Sequence, residues 1–115
     1  MISAMTTLPL PGRPVRGSRT GRPVMAVLDL LGRRGALRVL WELRDGYPQS
    51  FRLLQDSTGG ISPSVLNTRL AELREARIVA ADGEGDALTP AGQDLLVRLR
   101  PLNRWAELWA NSNAS

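Results

Sequence analysis

One run constrains this chain more than any other: Gly60 to Val79, reading GISPSVLNTRLAELREARIV. Ser62 carries a short side-chain oxygen suited to accept from the orphan N–H groups of a first helical turn. Pro63 follows at the first helical position, where a missing N–H costs nothing. The spacing predicts a helix from Pro63 to about Ala76, with Leu66, Leu70 and Leu73 at i, i+4 and i+7 as one narrow apolar stripe. Opposite that stripe lie Ser64, Thr68, Ala71 and Glu75, with Asn67 on one shoulder and Arg69 and Glu72 on the other. Short polar groups let a helix approach a major groove closely, and Asn, Thr and Arg offer donors and acceptors to base edges. An ordinary amphipathic surface helix carries the same pattern, so the rest of the chain has to decide.

Composition narrows the classes. A chain of 115 residues with 43% hydrophobic and 23% charged content has the makings of one globular domain with a modest core. It has no cysteine and no histidine, which removes disulfides, thiolate metal sites, and the commonest metal ligand and general base. No pair of carboxylates is arranged for acid–base work. The expectation is a protein that is not an enzyme and uses no metal or cofactor. No apolar run approaches a membrane span and no signal peptide is present, so a cytoplasmic protein without membrane contact is expected. All 15 basic residues are arginine, and the net charge of +4 is local. Arg13, Arg16, Arg19 and Arg22 lie in the first 22 residues, which hold no acid; the remaining arginines equal the acids in number. A neutral body with a basic tail suits an arm that tracks an anionic polymer, without requiring one.

Along the chain, residues 1–22 carry Pro9, Pro11 and Pro14 with scattered glycine, serine and threonine, which predicts a flexible basic arm. Its arginines are either a solvated tail or phosphate and minor-groove contacts. Residues 23–111 form the expected domain. Pro23 opens a helix in which Val24, Val27, Leu28 and Leu31 repeat at helical spacing, stopped by Gly32. Arg33-Arg34-Gly35 makes a basic corner. A second helix over about Ala36 to Arg44 is expected to bury Leu37, Leu40, Trp41 and Leu43. Asp45-Gly46 ends it, and Tyr47-Pro48 forces an extended segment. Ser50 is placed to cap a third helix over Phe51 to Asp56, with Phe51, Leu53 and Leu54 inward. Ser57 to Gly60 is the turn into the helix at Pro63, which makes a helix-turn-helix.

Ile78 to Ala81 then reads as a short strand, Asp82 to Gly85 as a tight turn, and Asp86 to Leu88 as the returning strand. Thr89 and Pro90 repeat the capping device of Ser62 and Pro63. Leu95, Leu96, Leu99, Leu102, Trp105, Leu108 and Trp109 continue at spacings of three and four. Pro101 interrupts them, predicting a kink or two abutting helices. Residues 112–115 are expected to fray. This order of elements, mainly α with a small β-hairpin, is that of a winged helix-turn-helix.

At this point the chain resembles the HxlR-type transcriptional regulators, relatives of the MarR group. The resemblance rests on VLDLLGRRGALRVLWEL, SFRLLQ, GISPSVLNTRLAELREARIV, LTPAGQDLL and the closing RWAELW, about residues 23–110. Its most specific part is the run Ile61, Ser62, Pro63, Leu66, Arg69, Leu70, Glu72 and Leu73, supported by Leu88, Thr89 and Gly92. The resemblance implies a dimeric winged helix that binds operator DNA, often beside its own gene, with the first and last helices pairing the subunits. Four departures stand out. Arg22 occupies the position where relatives carry a cysteine, so redox sensing through that thiol is excluded. The familiar G-G-K-W corner is Gly32-Arg33-Arg34-Gly35, with its aromatic gone. Arg77 replaces the usual glycine before the first wing strand. The wing is short and acidic, so Asp82, Glu84 and Asp86 would face phosphates repulsively unless it turns away.

The expected function is therefore sequence-specific DNA binding by a homodimeric regulator, a repressor in the first instance, on a pseudo-palindromic operator. Ser62, Ser64, Asn67 and Thr68 are assigned to base edges or nearby backbone. Arg69 reaches a guanine or a phosphate, or else forms an intrahelical pair with Glu72 or a structural anchor. Arg33, Arg34 and Arg52 are phosphate candidates, and Arg77 stands in for basic groups missing from the wing. Val24, Val27, Leu99, Leu102, Trp105 and Trp109 are assigned to the dimer interface, the alternative being that the tryptophans pack on the first helix of their own chain. The competing class is a winged-helix protein-interaction module with weak or no DNA binding, favoured by the neutral body and acidic wing. A third reading adds a small-molecule effector at the dimer seam, for which the sequence names no polar group.

Overall fold

Side-chain oxygens start three of the helices where the sequence places them. The computed structural model describes residues 22–113, so the arm before Arg22 lies outside the described residues, as do 114 and 115. Helices α1 (Pro23–Leu31), α2 (Ala36–Glu42), α3 (Phe51–Thr58) and α4 (Pro63–Glu75) precede a hairpin of β1 (Val79–Asp82) and β2 (Gly85–Leu88), and α5 (Pro90–Asn113) follows. Ser50 Oγ accepts from the Leu53 amide at 3.2 Å, Ser62 Oγ from Val65 at 3.1 Å and Thr89 Oγ1 from Gly92 at 3.1 Å. Each cap satisfies one orphan donor and contributes about 1 kcal/mol.

Burial contributes more and sets how the helices face. Leu66, Leu70 and Leu73 on α4 are fully buried, at about 1.5–3 kcal/mol each, so the stripe outweighs the cap and fixes which side of α4 is left outward. They meet Leu30, Leu31, Val39, Leu40, Leu43, Leu54, Val79 and Leu88 in a single cluster.

The hairpin pairs Val79 with Leu88 and Asp82 with Gly85 in antiparallel register. The extended segment after Pro48 supplies one bridging residue: the Gln49 and Asp86 backbones exchange both N–H···O bonds at 2.9 Å. Gly85 allows this approach, since a Cβ there would lie 2.6 Å from the Gln49 backbone. Gly92 does the same for α5, where a Cβ would stand 2.2 Å from the Ile78 carbonyl oxygen.

The structure corrects several inward assignments. On α2, Leu37 and Trp41 are about half exposed, and the buried residues are Ala36, Val39 and Leu40, with Leu43 just beyond the helix. These four lie at i, i+3, i+4 and i+7, a complete apolar stripe by themselves. On α3, which runs two residues past Asp56, Leu54 and Thr58 face the core while Phe51 and Leu53 are exposed. Thr58 is tolerated there because its hydroxyl donates to the Leu54 carbonyl at 2.6 Å. On α1, where no inward set was assigned and Val24 was given to the dimer interface, Ala26, Leu30 and Leu31 are buried and Val24 and Leu28 are exposed. Pro101 sits within one continuous helix rather than between two, and that helix persists through Asn113. There the side chains of Ser112 and Asn113 donate back to the Trp109 carbonyl, each at 2.9 Å.

Candidate nucleic-acid interface

The core stripe leaves the other side of α4 in solvent. Ser64, Asn67, Thr68 and Ala71 are all exposed. The Thr68 hydroxyl donates to the Ser64 carbonyl at 3.0 Å, so its proton is spent within the helix and its lone pairs face out. Ser62 is likewise occupied in part by its cap. Among the described residues the Asn67 amide makes no hydrogen bond, so this one side chain offers both a donor and an acceptor.

One shoulder of α4 is tied to the corner between α1 and α2. Arg69 Nη1 donates to Glu72 Oε1 at 2.7 Å, and Arg69 Nε donates to the Arg34 carbonyl at 2.7 Å. Arg33 Nη1 donates to Glu72 Oε2 at 2.5 Å, and Arg33 Nη2 to Asp29 Oδ2 at 3.2 Å. The four charged side chains retain only 8–16% of their exposure. Of the alternatives open for Arg69, the intrahelical pair and structural anchor are what the fold contains, and Arg33 joins them rather than standing in solvent. Arg34 and Arg52 are exposed and form no ion pair among the described residues.

The wing differs from its sequence expectation. Asp86 does not face solvent: it is 5% exposed and is held by Arg74 at the end of α4. Arg74 Nε donates to Asp86 Oδ1 at 2.8 Å and Nη2 to Oδ2 at 2.7 Å. These hydrogen bonds raise the Arg74 pKa further above its already high ordinary value. The tip therefore exposes two carboxylates, Asp82 and Glu84, instead of three. At the wing's base Arg77 takes a left-handed backbone, φ 61°, with its side chain exposed and its carbonyl accepting from the Thr89 hydroxyl at 2.7 Å. The sequence reading missed Arg74, although Asp86 lies two residues before the inward Leu88 and so shares its face.

A second surface lies far from α4's outer face in chemistry. Val24 and Leu28 of α1 and Leu102, Trp105, Leu108 and Trp109 of α5 are all more than half exposed. Val27 and Leu99 are partly buried against the core. Trp105 and Trp109 stack on each other, ring centroids 5.8 Å apart and planes 9° from parallel, but they are not covered by the first helix of their own chain. Beside them runs an open groove of about 850 Å³ between α2 and α5, lined by Leu37, Trp41, Leu96, Leu99 and Leu102 with Arg38, Arg44 and Arg100. Arg44 lies over the Trp41 ring, 4.3 Å from its centroid. Among the described residues no group of three acidic, histidine or cysteine side chains is placed to hold a metal, and no helix is long and apolar enough to cross a membrane.

A helix-turn-helix with a β wing and an outward polar helix is the architecture of a DNA-binding regulator. The family model for HxlR-like helix-turn-helix proteins matches residues 30–114, and the chain belongs to that family of transcriptional regulators. It is 28% identical over 88 residues to an uncharacterised helix-turn-helix transcriptional regulator of Methanocaldococcus jannaschii, covering 74% of this chain and 83% of the relative. Among solved structures it is similar to quinone-bound YodB from B. subtilis, with TM-score 0.70 and 28% identity over 74% of this chain and 96% of that one. It is also similar to a possible HxlR family transcriptional factor from Thermoplasma volcanium, with TM-score 0.63 and 28% identity over 74% and 82%.

Proposed function

We propose that this regulator works in the cytoplasm as a homodimeric repressor without catalytic activity, laying α4 in the major groove of a pseudo-palindromic operator. The observation that carries the reading is the outer face of α4, where Ser64, Asn67 and Thr68 stand in solvent on a helix whose opposite stripe is fully buried. Thirteen residues span about 20 Å, enough to cross the groove with the N-terminal half inside. Asn67 is the principal base contact, with Ser64 and Thr68 beside it. Ser62 and the free amides of the first turn approach a phosphate. Arg34 and Arg52 contact backbone, and Arg77 supplies charge at the wing base while the tip acids stay off the duplex.

Pairing of two copies through α1 and the projecting half of α5 is supported by the uncovered Val24, Leu102, Trp105 and Trp109, with Val27 and Leu99 at the edge. A twofold pair then requires half-sites about 10 base pairs apart or a multiple of that. An effector, if the regulator has one, would meet it near this seam.

Selection of bound sequences from random DNA with purified protein tests the reading. A palindromic consensus with a salt-dependent affinity is the expected result. Asn67→Ala should then cost about 1–3 kcal/mol at one operator position, whereas Arg34→Ala should weaken all sequences alike. Absence of any binding at low salt would instead favour a protein-interaction module, for which the exposed Asp82 and Glu84 at the wing tip are the supporting feature.

A further inference from the structure

We infer that Glu72 is a specificity-determining residue, because its carboxylate takes up Arg33 and Arg69 and so withholds from the DNA backbone two arginines beside the reading helix. The inference rests on α4 facing DNA as proposed above.

Each Glu72 oxygen accepts from a different arginine, Oε1 from Arg69 at 2.7 Å and Oε2 from Arg33 at 2.5 Å. Asp29 balances the second positive charge at 3.2 Å. In these described pairs two arginines stand against two acids, and the four side chains keep at most 16% exposure. A guanidinium on a phosphate binds every sequence equally. Two more such contacts would raise affinity for operator and random DNA together and dilute what Asn67 discriminates. Arg34 differs. Its main-chain carbonyl is held by Arg69 Nε at 2.7 Å, but its own side chain is exposed without an ion pair among the described residues. The corner thus presents the Arg34 cation while Glu72 engages the two arginines behind it.

A purely structural tie would predict the opposite sign, because loosening α4 weakens binding to every duplex. Fluorescence-anisotropy titrations of a random-sequence duplex and of the selected operator, each across a salt series, separate the two. For Glu72→Gln the expected result is tighter binding to the random duplex. Its salt slope should steepen by about 0.9 for each arginine released, and the operator-to-random ratio should fall. Weaker binding to both duplexes, or an unchanged slope in a folded variant, overturns the inference.

Arg33→Gln and Arg69→Gln supply a test that does not depend on how Glu72→Gln folds. Both should keep the wild-type slope on random DNA, while Arg34→Gln lowers it by about 0.9. A loss in either of the first two equal to that of Arg34→Gln overturns it as well. Asn67→Ala tells this failure from failure of the docking mode. If that variant still discriminates as the wild type does, α4 is not the reading helix. If it loses discrimination while Glu72→Gln leaves the slope unmoved, the docking mode stands and the role of Glu72 does not.

Discussion

Arg77 is the one non-glycine residue with a left-handed backbone among the described residues. For a side chain with a Cβ that conformation costs about 1–2 kcal/mol, part of which glycine would return as its larger loss of freedom on folding. Arg77→Gly should therefore raise stability by about 0.5–1 kcal/mol, read as a higher urea midpoint with unchanged m-value. A lower midpoint would mean that the arginine side chain stabilises the fold in a way its exposed position does not reveal. The same substitution should reduce the salt slope of DNA binding if the cation serves the wing base. Asp86 makes a contrasting case. It looked like one of three repulsive charges because composition counts carboxylates without assigning them a face. Alternation along β2 already placed it on the side of Leu88, and a buried acid needs a partner; what the sequence left out is that the partner sits twelve residues back on α4. Asp86→Ala leaves the Arg74 guanidinium, 41% exposed, partly solvated, so a loss of about 1–2 kcal/mol is expected in the same urea titration, less than for a fully buried pair.

Among the elements, α4 was legible nearly to the residue, because one narrow stripe, a capping serine and a proline all agree. Helix α2 was not, because it carries two apolar stripes side by side. Ala36, Val39, Leu40 and Leu43 face the core, and Leu37 and Trp41 face the groove toward α5. Periodicity identifies the helix but cannot rank two adjacent stripes. On α3 the helix and its Ser50 cap were legible, but Phe51 and Leu53 were misplaced inward for a related reason: in eight residues a stripe has barely two members, and one of the buried pair is a threonine. These stripes make unequal predictions under truncation. Leu70→Ala should cost about 2–5 kcal/mol by the cavity it leaves, whereas Leu37→Ala, half exposed, should cost well under 1.5 kcal/mol by lost area alone. Equal losses in thermal unfolding would mean that the outer stripe of α2 is covered in solution. The α4 surface assigned to DNA was legible as residue types, and the spacing of three already offered the Arg69–Glu72 pair, but the use of Arg33 was not legible. Glu72 lies 39 residues from Arg33, and no local pattern announces a pairing at that distance.

At the scale of the whole molecule, α5 is the least finished part. Its first turns are anchored by Gly92 and Leu96, but beyond Arg100 the described side chains are largely exposed in a single chain. A helix with leucines and stacked indoles left in water is unusual for a monomer, and the family resemblance led to the same place from the sequence. Trp105→Ala together with Trp109→Ala should shift sedimentation toward the monomer at concentrations where the wild type is paired. The double variant should also lose operator affinity more steeply than affinity for an isolated half-site. A wild type that sediments as a monomer throughout would remove the twofold operator from the proposal.

All three indoles of the chain, Trp41, Trp105 and Trp109, are about half open to water in the single copy. For the pairing proposed above, they would serve as a built-in optical gauge of self-association, needing no dye or tag. Diluting it through the association midpoint should move the emission maximum to longer wavelength and make the fluorescence easier to quench with acrylamide, while unpaired subunits keep their circular dichroism.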